Sequence, residues 1–152
     1  MENSEYKKIL LDIAVCAISC DGIIDDREII ELNEIEKTST YFSALDLTET
    51  LETSLKECMD NYEAFQQKVF EILDDNELNV VQELSIIDIS LKIIAADDKV
   101  EEAEINFLKI LRSHLKVEDI IIKQRFGSIS YLFSSNSEFK NFSKEIKIIN
   151  KE

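Results

Sequence analysis

The feature that most constrains this chain is an acidic segment that occurs twice. Residues 10–32 read LLDIAVCAISCDGIIDDREIIEL, and residues 86–108 read IIDISLKIIAADDKVEEAEINFL. Each copy is an apolar run of helical length, then an acidic turn, then the start of a second helix. At an offset of 76 positions the identical residues are Asp12/Asp88, Ile13/Ile89, Ile18/Ile94, Asp21/Asp97, Glu28/Glu104, Ile29/Ile105 and Leu32/Leu108. Because a sequence repeat marks a structural unit used twice, the pattern predicts two helix-turn-helix units.

The scarcity of turn-forming residues indicates that the rest of the chain is helical as well. The 152 residues include no proline and only two glycines, whereas sandwiches and barrels need turns rich in both. We therefore predict an all-α, single-domain bundle of about seven to eight helices built on the two pseudo-repeated units. Residues 1–126 are expected to form the helical domain, and residues 127–152 a mostly helical carboxy-terminal extension packed on it.

Apolar periodicity and capping residues predict where the helices lie. Asp25 and Glu28 have the spacing of a capping box, and Asn61 is suited to cap another helix. The predicted helices span about 5–20, 26–37, 47–60, 62–73, 80–96, 103–115, 117–126 and 138–149. In the third of these, the apolar residues at intervals of four are Leu47, Leu51, Leu55 and Met59.

The chain is strongly acidic, with a formal net charge of -15 and a sequence pI near 4.5. Such a field repels nucleic acid and anionic membranes, and it favours divalent cations, a basic protein partner or simply solubility. No signal segment and no apolar run of transmembrane length is visible, so we expect no direct membrane insertion. Cys16, Cys20 and Cys58 lack zinc-knuckle or disulfide-framework spacing, which favours buried thiols in a reducing cytoplasm.

The carboxylates of the acidic turns are candidate metal ligands. Asp21 ends one helix and Glu28 lies one turn into the next, so both can point into the same inter-helix space. Asp97 and Glu104 repeat this arrangement, and a pseudo-twofold packing of the two units would bring all four carboxylates together. Hard oxygen ligands select Ca²⁺, Mg²⁺ or Mn²⁺. Further candidate ligands are Asp12, Asp25, Asp88 and Glu101.

The same carboxylates also have an interpretation that needs no metal. Asp25 and Glu101 would be helix N-caps, and Glu28 and Glu104 would close capping boxes. The two turn aspartates would stabilise the turns or the positive end of the following helix. The aspartates nine residues before each turn are spaced for ion pairs with lysines four residues away.

An ordinary calcium-binding EF-hand is not expected. The first turn, DGIIDDRE at 21–28, matches the second half of an EF-hand loop. The leading ligand positions, however, fall at Ala17 and Ser19 in the first copy and at Ile93 and Ala95 in the second. A loop without its leading carboxylates loses charge and ligands together.

The doubled motif resembles instead the TerB-like domain family, named after tellurite resistance protein B. That family shows an apolar helix, an A-D-G-x-[IV]-[DS]-x-x-E turn and a second helix, repeated about half a domain later. Here the turns read CDGIIDDRE at 20–28 and ADDKVEEAE at 96–104, and the resemblance covers roughly residues 6–116. Cys20 stands where the family has alanine, and Asp98 where it has the second glycine.

The resemblance implies an all-helical fold, a metal site built from the acidic turns, and association with bacterial stress-response, tellurite or phage-resistance systems. We therefore expect a non-enzymatic interaction or sensing module that binds a divalent cation. One alternative is a purely structural acidic scaffold for a basic protein partner, and another is a metal-dependent hydrolase. Catalysis has little support, because His114 is the only histidine and no phosphate loop, GxSxG or HExxH motif occurs.

Overall fold

The computed structural model describes residues 3–43, 46–97, 99–129 and 132–133, with the side chains of Asn3 and Asp97 excepted. Within these residues the chain is all-helical, without strands, as the composition predicts. The elements are α1 (Asn3–Ser19), α2 (Asp26–Thr38), α3 (Leu47–Asp60), α4 (Tyr62–Asp74), α5 (Val80–Ile94), a 3₁₀ turn (Ala95–Asp97), α6 (Glu102–Ser113) and α7 (Asp119–Phe126). The helix predicted at 138–149 and most of the predicted extension 127–152 lie outside the described residues.

The chain forms two compact units, which divide between Phe107 and Leu108 within α6. In the first unit α1 is the central element, and it contacts α2, α3, α4 and α5. Every residue of the segment 9–18 is buried. A helix that is apolar on nearly all sides needs neighbours on all sides, and this is why α1 lies at the centre.

The single charged side chain in the buried segment of α1 has two partners. The Asp12 carboxylate accepts hydrogen bonds from the Lys8 ammonium at 2.7 Å and from the Ser54 hydroxyl of α3 at 2.7 Å. In α5, Asp88 accepts a hydrogen bond from the Tyr41 hydroxyl at 2.7 Å and forms an ion pair with Lys92 at 3.2 Å. Both predicted lysine pairs are present, but Asp12 is buried, whereas a surface ion pair was predicted. Both carboxylates also join their helix to another segment.

Side-chain caps fix where several helices begin. The Asn61 side chain accepts from the Ala64 N–H at 3.1 Å, which confirms the predicted cap of α4. At the start of α5, the Asn79 side chain accepts from the Gln82 N–H at 2.8 Å, and the Gln82 side chain accepts from the Asn79 N–H at 3.0 Å. This reciprocal capping box was not predicted from the sequence. It satisfies two N–H groups that a helix start would otherwise leave without partners.

The buried face of α3 differs from the one that the four-residue spacing suggests. The buried residues of α3 are Leu47, Leu51, Ser54 and Cys58. Met59, the last residue of the apolar series, is 69% exposed. A helix has 3.6 residues per turn, so a series spaced by four rotates gradually away from one face. In the last two turns the buried residues are therefore Ser54 and Cys58, each one position before the apolar residue of the series.

In the second unit a buried guanidinium organises the chain beyond α6. Arg112 donates to the carbonyls of Leu132 at 2.6 Å, Leu115 at 3.2 Å and Val117 at 2.7 Å. It also donates to the Asp119 carboxylate, at 2.8 Å, at the start of α7. The planar fork of donors in an arginine suits such a set of acceptors. One side chain thus ties the α6–α7 connection to α7 and to the segment that follows it.

We predict that Arg112→Ala lowers the free energy of unfolding of the second unit by about 3–5 kcal/mol, because it leaves buried acceptors without donors. Arg112→Lys should recover only part of this loss, since an ammonium group lacks the planar fork. The measurements are urea denaturation and amide hydrogen exchange of α7. The control is Arg125→Ala, an exposed position, with an expected change within about 0.5 kcal/mol. Equal effects of the two alanine variants would contradict this role.

Candidate functional site: the acidic turns

The first acidic turn begins where α1 ends. Gly22 has a φ of 82°, and its N–H donates to the Ser19 carbonyl at 2.9 Å. This left-handed conformation favours glycine and stops the helix. Asp21 is exposed, and its side chain accepts from the Ile23 N–H at 3.0 Å. Asp21 therefore stabilises the turn locally, as the interpretation without metal predicts.

Asp25 caps α2, as predicted. Its side chain accepts from the Arg27 N–H at 2.8 Å, and it forms an ion pair with the Arg27 guanidinium at 3.1 Å. The hydrogen bonds from the Arg27 side chain and then from its backbone lower the pKa of the Asp25 carboxyl. The next carboxylate along α2, Glu28, turns inward and is only 2% exposed.

The second acidic turn places a glutamate in the same way. Glu104 is 1% exposed, and its side chain accepts from the Glu101 N–H at 2.8 Å, across the start of α6. Half of the predicted capping box is thus present, while the Glu101 side chain forms an ion pair with Lys99 at 3.6 Å. The side chain of Asp97, the fourth predicted ligand, lies outside the described residues.

Three of the four predicted ligands act electrostatically on one thiol at the end of α1. The pKa of Cys20 is raised to about 12, first by burial and then by the negative charges of Glu104, Asp21 and Glu28. Electrostatic interactions weaken with distance, so these three carboxylates lie in the neighbourhood of the Cys20 thiol. The structure thus brings carboxylates from both turns to the end of α1.

Two of the further candidates already have other partners. Asp12 and Asp88 are held by lysines and by hydroxyl groups of distant segments. Sequence reasoning missed Ser54 and Tyr41 as these partners, because they lie 42 and 47 residues from the carboxylates that they contact. No local signal marks such a pair. In the described part of the chain, no three or more His, Cys, Asp or Glu side chains form a group that could hold a metal ion.

The three cysteines are free thiols near the carboxy-terminal end of α1. Cys16 and Cys58 are buried, and Cys20 is partly exposed. Burial raises the pKa of all three thiols, and it is the largest cause in each case. The protonated thiol is a poor nucleophile and a poor metal ligand. The predicted interpretation as small apolar residues therefore fits these positions.

Comparison of the chain with protein-family models, with curated proteins and with solved structures found no match. Among the described residues, none of the helices combines the length and the apolar character needed to cross a membrane.

We predict that Glu104→Ala lowers the free energy of unfolding by about 0.5–2 kcal/mol in metal-free buffer, because the Glu101 N–H loses its acceptor. Glu104→Gln keeps an oxygen acceptor at the same position, so it should stay closer to the wild type. Chemical denaturation of the three proteins in the presence of a chelator measures the difference. A glutamine variant as unstable as the alanine variant would show that the cap is not what Glu104 contributes.

We also predict that the thiols of the native protein react much more slowly with a disulfide reagent at pH 8 than those of the unfolded chain, with Cys20 the first to react. The raised pKa values mean that the native protein keeps protons which the unfolded chain releases. The contribution of the protonated Cys20 thiol to the free energy of unfolding is therefore fully present below about pH 8.5. It is lost as the pH rises toward about 12. Reagent kinetics and denaturation at pH 8 and 10 test this. Native thiols that react at the unfolded rate would refute it.

Proposed function

We propose that this protein is a non-enzymatic, TerB-like interaction module whose two acidic turns respond to a divalent cation. The observation that carries the proposal is the matched placement of Glu28 and Glu104. The two glutamates lie 76 positions apart in the sequence, both are almost fully buried, and both raise the pKa of the same thiol, that of Cys20.

The surrounding backbone supports the interpretation of the chain as a pseudo-repeat. At the starts of α2 and α6 the same pairs of bonds occur: Glu28 N–H and Ile29 N–H donate to the Asp25 carbonyl, and Glu104 N–H and Ile105 N–H donate to the Glu101 carbonyl. The start of α7 has such a pair too, so the more specific support is the spacing of the elements. The offset of 76 also carries α2, Asp26–Thr38, almost onto α6, Glu102–Ser113. Equivalent local geometry is what two copies of one helix-turn-helix unit would have.

The electrostatics support a cation as the ligand. An oxygen-coordinated Ca²⁺, Mg²⁺ or Mn²⁺ would offset the repulsion between the carboxylates that the proposal brings together. The nearby thiols, held protonated by their raised pKa values, would leave the oxygen atoms as the ligands. In this proposal Asp21, Glu28, Asp97 and Glu104 hold the cation. Binding of the cation would change the charge of a surface that a partner protein recognises. The family resemblance implies that this partner belongs to a stress-response system.

We predict that millimolar Ca²⁺ or Mn²⁺ raises the melting temperature, because a ligand bound only by the native state stabilises it, by about 2.7 kcal/mol at a hundredfold excess over Kd. Asp21→Asn, Glu28→Gln and Asp97→Asn should each reduce the thermal shift. The matched controls Glu52→Gln and Asp60→Asn, exposed carboxylates of α3, should keep it.

Calorimetry provides the independent readout. Binding heat that disappears in the turn variants and persists in the α3 variants supports the site. No binding heat and no thermal shift at millimolar metal would refute the cation part of the proposal. A shift that all five variants retain would instead indicate diffuse binding to the acidic surface.

A further inference from the structure

The corner between α4 and α5, residues 71–81, exposes aliphatic side chains. Val81 is 72% exposed, Val80 45% and Ile72 36%. Val80 and Val81 are the first two residues of α5, and Ile72 lies in the last turn of α4. The connection between the two helices is only five residues long, 75–79, so all three side chains belong to one short stretch of the chain. We call this stretch the α4–α5 corner.

The same corner has an entirely negative charge. Its four ionisable side chains, all of them exposed, are those of Glu71, Asp74, Asp75 and Glu77. No lysine, arginine or histidine occurs between Lys68 and Lys92, the longest stretch of this chain without a basic residue. A partner that covers the aliphatic side chains therefore meets a segment whose only charged residues are acidic.

The neighbouring basic residues are engaged elsewhere. Lys68 forms an ion pair with Glu57 at 3.1 Å, and Lys92 forms one with Asp88 at 3.2 Å. The two lysines that bound the corner in the sequence thus pair with carboxylates outside it.

The lysines of α1 have other partners as well. The amino-terminal part of α1 lies beside α5, since the Tyr6 hydroxyl donates to the Gln82 carbonyl at 2.8 Å. Of the two lysines that follow Tyr6, Lys7 donates to Ser43, and Lys8 pairs with Asp12 at 2.7 Å.

The backbone of the corner is held in place before any partner arrives. The Asp75 N–H donates to the Glu71 carbonyl at 3.0 Å, and the Asn76 side chain donates to the Ile72 carbonyl at 2.8 Å. The reciprocal Asn79–Gln82 capping box then fixes the start of α5. A surface that is already ordered loses little conformational entropy on binding.

We propose that the α4–α5 corner is the docking surface for a cationic amphipathic segment of a protein partner. Such a segment supplies ammonium or guanidinium groups for the carboxylates and apolar groups for Val80, Val81 and Ile72. Nucleic acid and anionic membranes carry the wrong charge for this surface. The proposal rests on the proposed function as an interaction module and gives that module a partner class and a surface apart from the acidic turns.

The other exposed aliphatic pair of the first unit, Ile23 and Ile30, does not select this partner. Ile23 precedes α2 and Ile30 lies in it, and this helix carries its own basic residues: Arg27, which pairs with Asp25, and Lys37. The mixture of charges there favours no cationic segment over another kind of partner. The α4–α5 corner differs in that its exposed aliphatic side chains lie in a segment without any basic residue.

The test is an NMR titration of the ¹⁵N-labelled full chain with a synthetic 14-residue helical peptide of leucine and lysine. We expect chemical-shift changes concentrated at residues 71–81. Val81→Ser should weaken binding about three- to tenfold, the effect of losing about 1 kcal/mol of apolar burial. Neutralising Asp75 and Glu77 with D75N and E77Q should weaken binding and reduce its salt dependence. The matched controls in α3, Met59→Ser and Glu52→Gln, should bind like the wild type.

Three results would overturn the proposal: shift changes spread over the whole acidic surface, equal losses in Val81→Ser and Met59→Ser, or spermidine binding as tightly as the peptide. The last would show that charge alone is recognised. A separate Ca²⁺ titration of the same sample reports on residues 21–28 and 99–104. A missing cation response with an intact peptide response would mean that the proposed function fails at the acidic turns. A missing peptide response with an intact cation response would mean that only the docking surface fails.

Discussion

The burial of α1 on all sides is the constraint on which the first unit depends. Ten consecutive residues, 9–18, are removed from water, and the neighbouring helices must supply the surfaces that cover them. The one carboxylate in that segment, Asp12, is tolerated because Lys8 and the Ser54 hydroxyl satisfy it. A buried charge without such partners would cost several kcal/mol. The position of α3 against α1 is thus set by polar satisfaction as well as by apolar packing.

Local signals explain what the sequence predicts well. The all-α class follows from periodicity and from the absence of proline, and Asp25 and Asn61 cap their helices where the pattern places them. The predictions fail where the deciding interaction is distant in sequence or depends on the exact rotation of a helix. Tyr41 meets Asp88 across 47 residues, and Met59 leaves the buried face of α3 although its spacing fits. Neither outcome is encoded by neighbouring residues.

The acidic turns show why capping and ligand roles are hard to separate from sequence. A carboxylate in the first turn of a helix satisfies free N–H groups and interacts favourably with the helix dipole, and the same position suits a cation site between helices. Asp21, Asp25 and Glu104 each accept a backbone N–H. What distinguishes Glu28 and Glu104 from ordinary caps is near-complete burial, and sequence pattern does not report burial for a charged residue.

The two ion pairs on α1 and α5 have opposite directions along the chain, and this has a consequence for how the helices arise. In α5 the acidic residue Asp88 precedes Lys92, and this order interacts more favourably with the helix dipole. In α1 the order is reversed, because Lys8 precedes Asp12. With its own capping box, α5 carries local signals that favour helix before any tertiary contact forms. The helical state of α1 relies more on being enclosed. In the unfolded ensemble, residual helix should therefore concentrate in α5, which would offer α1 a preformed surface to condense upon.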